Sequence, residues 1–393
     1  MEESEVRAFG HLGGQVVGEV AGWVEEVHGT VSDRVFRALD GLGAPLRVFH
    51  DAAVEGVYAT VRGLGASLGE AGGSLLALRA DGRPLARSSA GAQVQAMLDA
   101  LVGDRLDEEG SPLALPMTLR NGGEDVTPDP GSLGAAFPGA TSRLVVFVHG
   151  LAETDLAWVG RDVEGQPWSY AHALEPLGWT GALVRYNTGR HIAANGSSLA
   201  SLLDDVVTAW PVPVTDLALV GHSMGGLVIR AACAEAVQSA RAWPALVRSC
   251  VYLGSPHHGA TLEQGVNVLD RLLGHLTGAR PVAALLRTRS AGIQDLRHGL
   301  FTAGSDDPLA ATTDAPLLET ARHHLVAAHL GTSERHPAAV LGDLMVRPRS
   351  ALGLGNRRAV ALDRGERATF PATSHQGLLK DRRIAESLVE WLA

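Results

Sequence analysis

The fold of this chain is decided by residues 216–230, Asp-Leu-Ala-Leu-Val-Gly-His-Ser-Met-Gly-Gly-Leu-Val-Ile-Arg. The residues before Gly221 have the apolar character of a short buried strand, and those from Gly226 onward begin a helical pattern. Between them, Ser223 is flanked by Gly221 and Gly225. This spacing on a strand-to-helix turn is typical of a nucleophile elbow, where a Cβ at either glycine would crowd the turn. The stretch therefore predicts that Ser223 is a nucleophile.

The same five-residue pattern occurs a second time in the chain. Gly65-Ala66-Ser67-Leu68-Gly69 has the two glycines at the same spacing from a serine. It lies in a Gly/Ala-rich stretch with helical periodicity, and no strand-like run precedes it. Because the pattern has catalytic meaning only in a strand–turn–helix context, we interpret Ser67 as structural.

Composition limits the classes of protein that the chain can represent. The chain has 393 residues, which favours one large and one small domain, and its formal net charge is −10. This acidic balance argues against nucleic acid as a partner and against a polybasic membrane-binding patch. Cys233 and Cys250 both lie in apolar stretches, so we expect buried free thiols rather than a disulfide. The acidic N-terminus lacks the pattern of a signal peptide and no run is apolar enough to span a membrane, so we expect a soluble cytoplasmic protein.

Residues 1–108 are predicted to form an N-terminal helical region. Valines recur at three- and four-residue steps from Val16 to Val35, which places them on one helix face. Gly14, Gly18 and Gly22 are spaced by four residues, so one stripe along the helix has no side chains. The stripe favours close helix–helix contact in a small bundle. The alternative is a surface for self-association or for a lipid phase.

Residues 109–393 alternate predicted strands and helices, which indicates an α/β fold with a mostly parallel sheet flanked by helices. A short hairpin is predicted around Asn121-Gly122. The later predicted strands are residues 143–148, 181–186, 216–220, 250–253, 325–328 and 358–362. Residues 262–321 form a long insertion between two strands, and we interpret this insertion as a lid.

A serine nucleophile needs a histidine base and an acid that orients the base, and in this fold they follow in the order serine, acid, histidine. His375 lies in a loop before the last predicted helix and is the predicted base. Asp343 lies one predicted strand earlier and is the predicted acid, with Asp363 as the alternative. The oxyanion of the intermediate requires two N–H donors. We assign these to Met224, which follows the nucleophile, and to Leu151, which follows the strand at 143–148.

Over residues 112–393 the chain resembles bacterial triacylglycerol lipases and related lipid deacylases of the α/β-hydrolase superfamily. The motifs that carry this resemblance are His149-Gly150-Leu151, Arg185-Tyr186-Asn187, Gly221-His222-Ser223-Met224-Gly225-Gly226, Leu253-Gly254-Ser255-Pro256-His257-His258-Gly259 and Gly342-Asp343. The resemblance supports Ser223, Asp343 and His375 as a catalytic triad and implies hydrolysis of carboxylic or acyl-lipid esters without a cofactor. Some related lipases carry structural calcium, but no residues of this sequence specify its ligands.

Two other classes of function stay open. The same fold and triad serve thioesterases, polyester depolymerases and acyltransferases, which differ from lipases in the acyl donor or acceptor. Alternatively, the helical region makes the chain chiefly a binding or assembly protein, although the complete triad speaks against this. A metal enzyme is not expected, because the sequence contains no His-Glu-x-x-His or comparable spacing of ligands.

Overall fold

The computed structural model describes residues 2–8, 89–161, 167–259, 290–298, 316–333, 336, 342–343, 345–355 and 359–393. The chain divides into two compact units. The first comprises residues 1–88, 109–113 and 273–289, and its described part includes a short helical stretch at residues 3–8. The predictions for Ser67, for the valine-rich helices and for the glycine stripe lie outside the described residues, as does most of the predicted lid.

The second unit is built on a sheet of eight strands among the described residues. These strands are β1 Thr118–Asn121, β2 Glu124–Val126, β3 Arg143–Val148, β6 Trp179–Arg185, β7 Asp216–His222, β8 Val247–Leu253, β9 Arg322–His329 and β10 Gly365–Pro371. In spatial order they run β10-β9-β8-β7-β3-β6-β1-β2. Neighbouring strands from β10 to β6 are parallel, while β1 pairs antiparallel with β6 and β2. Two further strands, β4 Gly160–Arg161 and β5 Pro167–Trp168, form a separate antiparallel pair.

Helices cover both faces of this sheet. The described helices of this unit are α1 Ser89–Glu108, α2 Pro130–Ala136, α3 Tyr170–Leu174, α4 Ile192–Ala209, α5 Met224–Gln238, α6 Ala291–His298, α7 Pro348–Ala351 and α8 Arg382–Trp391. One core packs α4 and α5 against one face, and a second core packs α3 and α8 against the other. The central strands are therefore buried on both sides, which explains why they read as continuous apolar runs in the sequence.

Both cysteines are buried in the described structure, as expected from the sequence. Cys233 lies on α5 and Cys250 on β8, and neither forms a disulfide. A hydrogen bond to Cys250, together with burial, holds the pKa of the Cys233 thiol well above its ordinary value. None of the described helices is long and apolar enough to cross a membrane.

The structure confirms the predicted parallel sheet but differs from the sequence interpretation in the last strand. Residues 359–362, predicted as part of a strand, make only one isolated bridge, between Ala359 and Leu354. The strand begins at Gly365 instead. Its polar residues give no apolar run because it lies at the sheet edge, while Val360 and Leu362 pack against the core beside it. Helix α1, which the prediction assigned to the N-terminal region, groups with the sheet unit. The predicted domain boundary at 108/109 stays a prediction.

Candidate active site

Ser223 occupies the sharp turn between β7 and α5. Its φ of 51° and ψ of −120° lie in a region that residues with a Cβ rarely adopt, at a cost of about 1–3 kcal/mol. The turn is tight on both sides. A Cβ on Gly221 would lie 2.5 Å from the Gly226 nitrogen, and one on Gly225 would collide with the carbonyl oxygen of Val148. The strand–turn–helix context predicted for Ser223 is therefore present, and its side chain is held at the carboxyl end of β7.

His375 and Asp343 come together at the same edge of the sheet. Asp343 follows β9, and His375 lies in the loop of residues 372–376 after β10, which we call the histidine loop. Nδ1 of His375 lies 2.7 Å from Oδ2 of Asp343. The other carboxylate oxygen accepts hydrogen bonds from the backbone N–H groups of Met345, at 2.9 Å, and Val346, at 2.7 Å. These bonds fix the carboxylate so that one oxygen faces the imidazole ring.

The electrostatics of this pair suit an acid that orients a base. Burial raises the pKa of Asp343, but the His375 ring and the two backbone donors outweigh burial and bring the pKa below its ordinary value. Burial lowers the pKa of His375, but the Asp343 carboxylate outweighs it and raises the pKa above its ordinary value. Asp343 is therefore ionised at neutral pH, and the hydrogen bond to it places a proton on Nδ1 of His375.

His222 links the histidine to the nucleophile. It precedes Ser223 in the chain, its ring lies 4.6 Å from the His375 ring, and its Nε2 lies 3.1 Å from the carbonyl oxygen of His375. Nε2 of His375 is buried and has no hydrogen-bond partner among the residues that the structure describes. No hydrogen bond joins it to the Ser223 hydroxyl in this structure. Such contacts are often long in unliganded enzymes and shorten with substrate.

The predicted oxyanion donors belong to two different segments near Ser223. Met224 begins α5, and Leu151 lies in the loop of residues 149–152 after β3, which we call the oxyanion loop. A Cβ on Gly150 would lie 3.1 Å from Cβ of Ser223, so the backbone of the oxyanion loop lies directly beside the nucleophile. His149 supports this loop through its contacts with Tyr186. Its ring stacks on Tyr186 at 4.5 Å, and the Tyr186 hydroxyl donates to the carbonyl oxygen of His149 at 2.8 Å.

Glu153 is a buried carboxylate at the site that the sequence analysis missed. It accepts a hydrogen bond from the Gly150 N–H at 2.7 Å and lies 3.0 Å from Nδ1 of His222. Burial raises its pKa, but the His222 ring and the Gly150 N–H outweigh burial and lower the pKa to about 2. The signal in the sequence was weak. It consisted of one acidic residue just after the His-Gly-Leu motif and one unassigned histidine inside the serine motif.

The structure separates Asp363, the alternative acid, from the histidine. Asp363 is exposed and precedes β10 at the amino end of that strand, whereas His375 follows its carboxyl end. Parallel strands place their carboxyl ends at one edge of a sheet, so Asp363 lies at the opposite edge from Ser223. Of the two candidate acids, the structure brings only Asp343 to the histidine.

The described part of the insertion approaches Met224, the residue that follows the nucleophile. A Cβ on Gly292 of α6 would lie 3.0 Å from Cε of Met224. Asp295 of α6 accepts a hydrogen bond from the Ile192 N–H at the start of α4, at 2.8 Å. At the beginning of α6, the Ala291 N–H donates to Asp104 of α1 at 2.8 Å. Helix α6 is therefore fixed between α1 and α4 beside the residue that follows Ser223.

Within the described ranges, no group of three or more His, Cys, Asp or Glu side chains is arranged to hold a metal ion.

Comparison with protein families finds a profile that is similar to part of this chain. A family profile described as "PGAP1-like alpha/beta domain" matches residues 189–276. This segment contains Ser223 and makes up less than a quarter of the chain. A search of curated protein sequences gives no match.

Several solved structures are similar to the chain. The mature lipase BlEst2 from Bacillus licheniformis is 20% identical, with a TM-score of 0.42, over 70% of this chain and 99% of the lipase. Naproxen esterase from Bacillus subtilis is 13% identical, with a TM-score of 0.38, over 64% of this chain and 84% of the esterase. The RedJ thioesterase from Streptomyces coelicolor is 17% identical, with a TM-score of 0.38, over 65% of this chain and 92% of the thioesterase.

The family match and the sheet topology confirm the predicted α/β fold with a mostly parallel sheet flanked by helices. The neighbours include both esterases and a thioesterase, and at these identities they assign no substrate to this chain.

Proposed function

We propose that this chain is a serine hydrolase that cleaves carboxylic esters, with acyl-lipid esters as its substrate class, through Ser223, His375 and Asp343. The observation that carries the proposal is the strained Ser223 beside a buried His375–Asp343 pair whose Nε2 is without a partner among the described residues. Strain of this kind is retained where it holds a reacting group in place.

In the first half-reaction, Oγ of Ser223 attacks the carbonyl carbon of the ester while Nε2 of His375 takes the hydroxyl proton. Asp343 stabilises the imidazolium that forms. The backbone N–H groups of Leu151 and Met224 bind the negative carbonyl oxygen. The tetrahedral intermediate then collapses, the C–O bond to the alcohol breaks, and His375 returns its proton to the departing alkoxide.

In the second half-reaction, water replaces the alcohol. His375 takes a proton from water as the hydroxide attacks the acyl-enzyme, and the same two N–H groups bind the second oxyanion. Collapse releases the carboxylic acid, and the proton on His375 returns to Ser223. The cycle requires no cofactor, and its charges balance within the triad.

The preference for acyl lipids rests on the insertion. Residues 262–321 contain apolar positions at helical spacing, including Val266, Leu269, Leu272 and Leu273. Helix α6, which belongs to this segment, contacts Met224 beside the nucleophile. If residues 262–321 act as the lid that the sequence predicts, these apolar positions would supply surface for an acyl chain.

Fluorophosphonate labelling followed by peptide mass spectrometry tests the proposal. We expect a covalent adduct on Ser223, no adduct on Ser67, and no labelling of the Ser223→Ala variant. Parallel assays with p-nitrophenyl esters and the matching acyl thioesters then separate an esterase from a thioesterase. An adduct on Ser67, or an active protein that stays unlabelled, would contradict the assignment of Ser223.

A further inference from the structure

We propose that Glu153 and His222 form a second carboxylate–imidazole pair, which positions the oxyanion loop and the histidine loop around Ser223. The proposal rests on the ester hydrolase function proposed above. Neither residue takes part in the bond-making steps of that mechanism, so both are positioning residues.

Glu153 connects three separate parts of the site. Its Oε2 accepts from the Gly150 N–H at 2.7 Å and lies 3.0 Å from Nδ1 of His222. Its Oε1 accepts from Nε2 of Gln376 at 3.0 Å. One carboxylate thus holds the oxyanion loop, the end of β7 and the histidine loop together. A buried carboxylate with three donors is a stable anchor, because each donor compensates part of the cost of removing its charge from water.

His222 faces a hydrogen-bond acceptor on each side. Nδ1 meets the Glu153 carboxylate, and Nε2 meets the carbonyl oxygen of His375 at 3.1 Å. Neither acceptor carries a proton, so the ring satisfies both contacts only when both nitrogens carry one. The geometry therefore assigns a cationic imidazolium to His222. This positive charge balances Glu153, whose negative charge would otherwise lie unneutralised near the developing oxyanion.

The pair acts on both halves of the catalytic geometry. By binding the Gly150 N–H, Glu153 fixes the peptide that leads to the predicted oxyanion donor at Leu151. By donating to the backbone of His375, His222 fixes the predicted base. The spacing between donor and base is thereby set by two side chains outside the triad. A displacement of about 1 Å in such a constellation costs on the order of 10²-fold in rate.

Three substitutions test the charge and the individual contacts of the Glu153–His222 pair separately. Glu153→Gln keeps the shape of the side chain and removes its charge. His222→Asn places an amide nitrogen near the position of Nδ1, which retains the contact with Glu153 and loses the one with His375. His222→Gln places the amide nitrogen near the position of Nε2, which retains the contact with His375 and loses the one with Glu153. Asp155→Asn is the matched control, because Asp155 is a second buried carboxylate two residues further on and pairs with Arg120 of β1 instead of with either loop.

The measurements are kcat and KM on a p-nitrophenyl ester, the rate of fluorophosphonate labelling, and a thermal melt. We expect Glu153→Gln to lower kcat and the labelling rate by about 10²-fold with KM nearly unchanged. The kcat and the labelling rate of each His222 variant should lie between those of Glu153→Gln and those of the wild type. Asp155→Asn should lower the melting temperature while kcat stays within about twofold of the wild type.

Two results would overturn the positioning role. One is a Glu153→Gln protein as active as the wild type, and the other is an Asp155→Asn protein that loses as much kcat as Glu153→Gln. If Glu153→Gln does not fold, the two His222 variants test the proposal in its place. A kcat equal to that of the wild type in both His222 variants would then overturn the positioning role. Failure of the hydrolase function is distinguishable, because it appears in the wild-type protein itself as the absence of ester hydrolysis and of labelling.

Discussion

At the scale of single residues, His375 is held from two directions. The Asp343 carboxylate binds Nδ1 at 2.7 Å, and His222 approaches the backbone carbonyl of the same residue at 3.1 Å. The ring has little freedom to turn, so the position of Nε2 depends on these neighbours. The exposed Asp363 has no part in this arrangement.

We predict that Asp343→Asn lowers kcat by about 10³- to 10⁴-fold, because the asparagine amide favours the wrong tautomer of His375 and cannot stabilise its cation. His375→Ala should cost at least about 10³-fold, because it removes the base. Steady-state kinetics on a p-nitrophenyl ester measure both effects. Asp363→Asn serves as the control, and a loss of kcat in that variant alone would move the acid from Asp343 to Asp363.

The raised pKa of His375 predicts the pH dependence of hydrolysis. The base must be neutral to accept the Ser223 proton, so kcat/KM should fall as the pH drops through a pKa above the ordinary histidine value. In Asp343→Asn, burial still lowers the pKa of His375, and of the two carboxylates that raise this pKa only Glu153 is left. The acidic limb of the residual activity should therefore move to lower pH. A pH–rate profile of both proteins measures this shift, and a limb that stays in place would show that Asp343 does not act on the base.

The site residues that the sequence predicts have either a local motif or a defined order along the chain. Ser223 was predicted because the glycines that its turn requires stand two positions away on each side. His375 and Asp343 followed from their order along the chain. Glu153 was missed because its partners His222 and Gln376 are 69 and 223 residues away, and no spacing in the sequence connects them.

At the scale of secondary-structure elements, the junction of β7 and α5 is packed without space for an added side chain. We predict that Gly221→Ala lowers the free energy of unfolding by about 1–3 kcal/mol, because the new Cβ would lie 2.5 Å from the Gly226 nitrogen and the turn would have to shift. Activity should fall with it, since the shift displaces Ser223.

Gly134→Ala is the matched control. Gly134 lies in α2, where an added Cβ meets nothing within 4 Å, so the change should stabilise the protein by about 0.4–1 kcal/mol through the unfolded chain. Urea unfolding of both variants gives the comparison. Equal stability for the two alanine variants would show that the turn is less tightly packed than the structure indicates.

Among the elements, buried strands were predictable and the edge strand was not. Residues 143–148 are apolar on both faces because helices cover both sides of β3, so the pattern in the sequence is continuous. Strand β10 has a single neighbour, and its charged residues face solvent. The adjacent apolar residues Val360 and Leu362 pack against the core instead. Their apolar pattern is the reason that the sequence predicts a strand there and not at β10.

At the scale of the whole molecule, the acyl-binding role proposed for residues 262–321 determines how activity should depend on the substrate. We predict that kcat/KM rises with acyl length across p-nitrophenyl acetate, butyrate, octanoate and palmitate, by up to roughly fourfold per methylene, since each buried methylene contributes about 0.8 kcal/mol. Detergent micelles should raise the rate on the longest ester. A sharp preference for acetate would contradict an acyl-binding role for residues 262–321.

The rate at which a reagent modifies the two thiols inside the sheet unit measures how fast this unit opens. The chain has only Cys233 and Cys250, and both side chains are buried, at 4% and 0% exposure. A thiol reagent such as Ellman's reagent should therefore modify the native protein only as fast as α5 separates from β8. Adding a saturating fluorophosphonate should slow this modification if the adduct stabilises the elbow at the start of α5. Rapid modification of the native protein without inhibitor would show that the interior beneath the nucleophile is open to solvent.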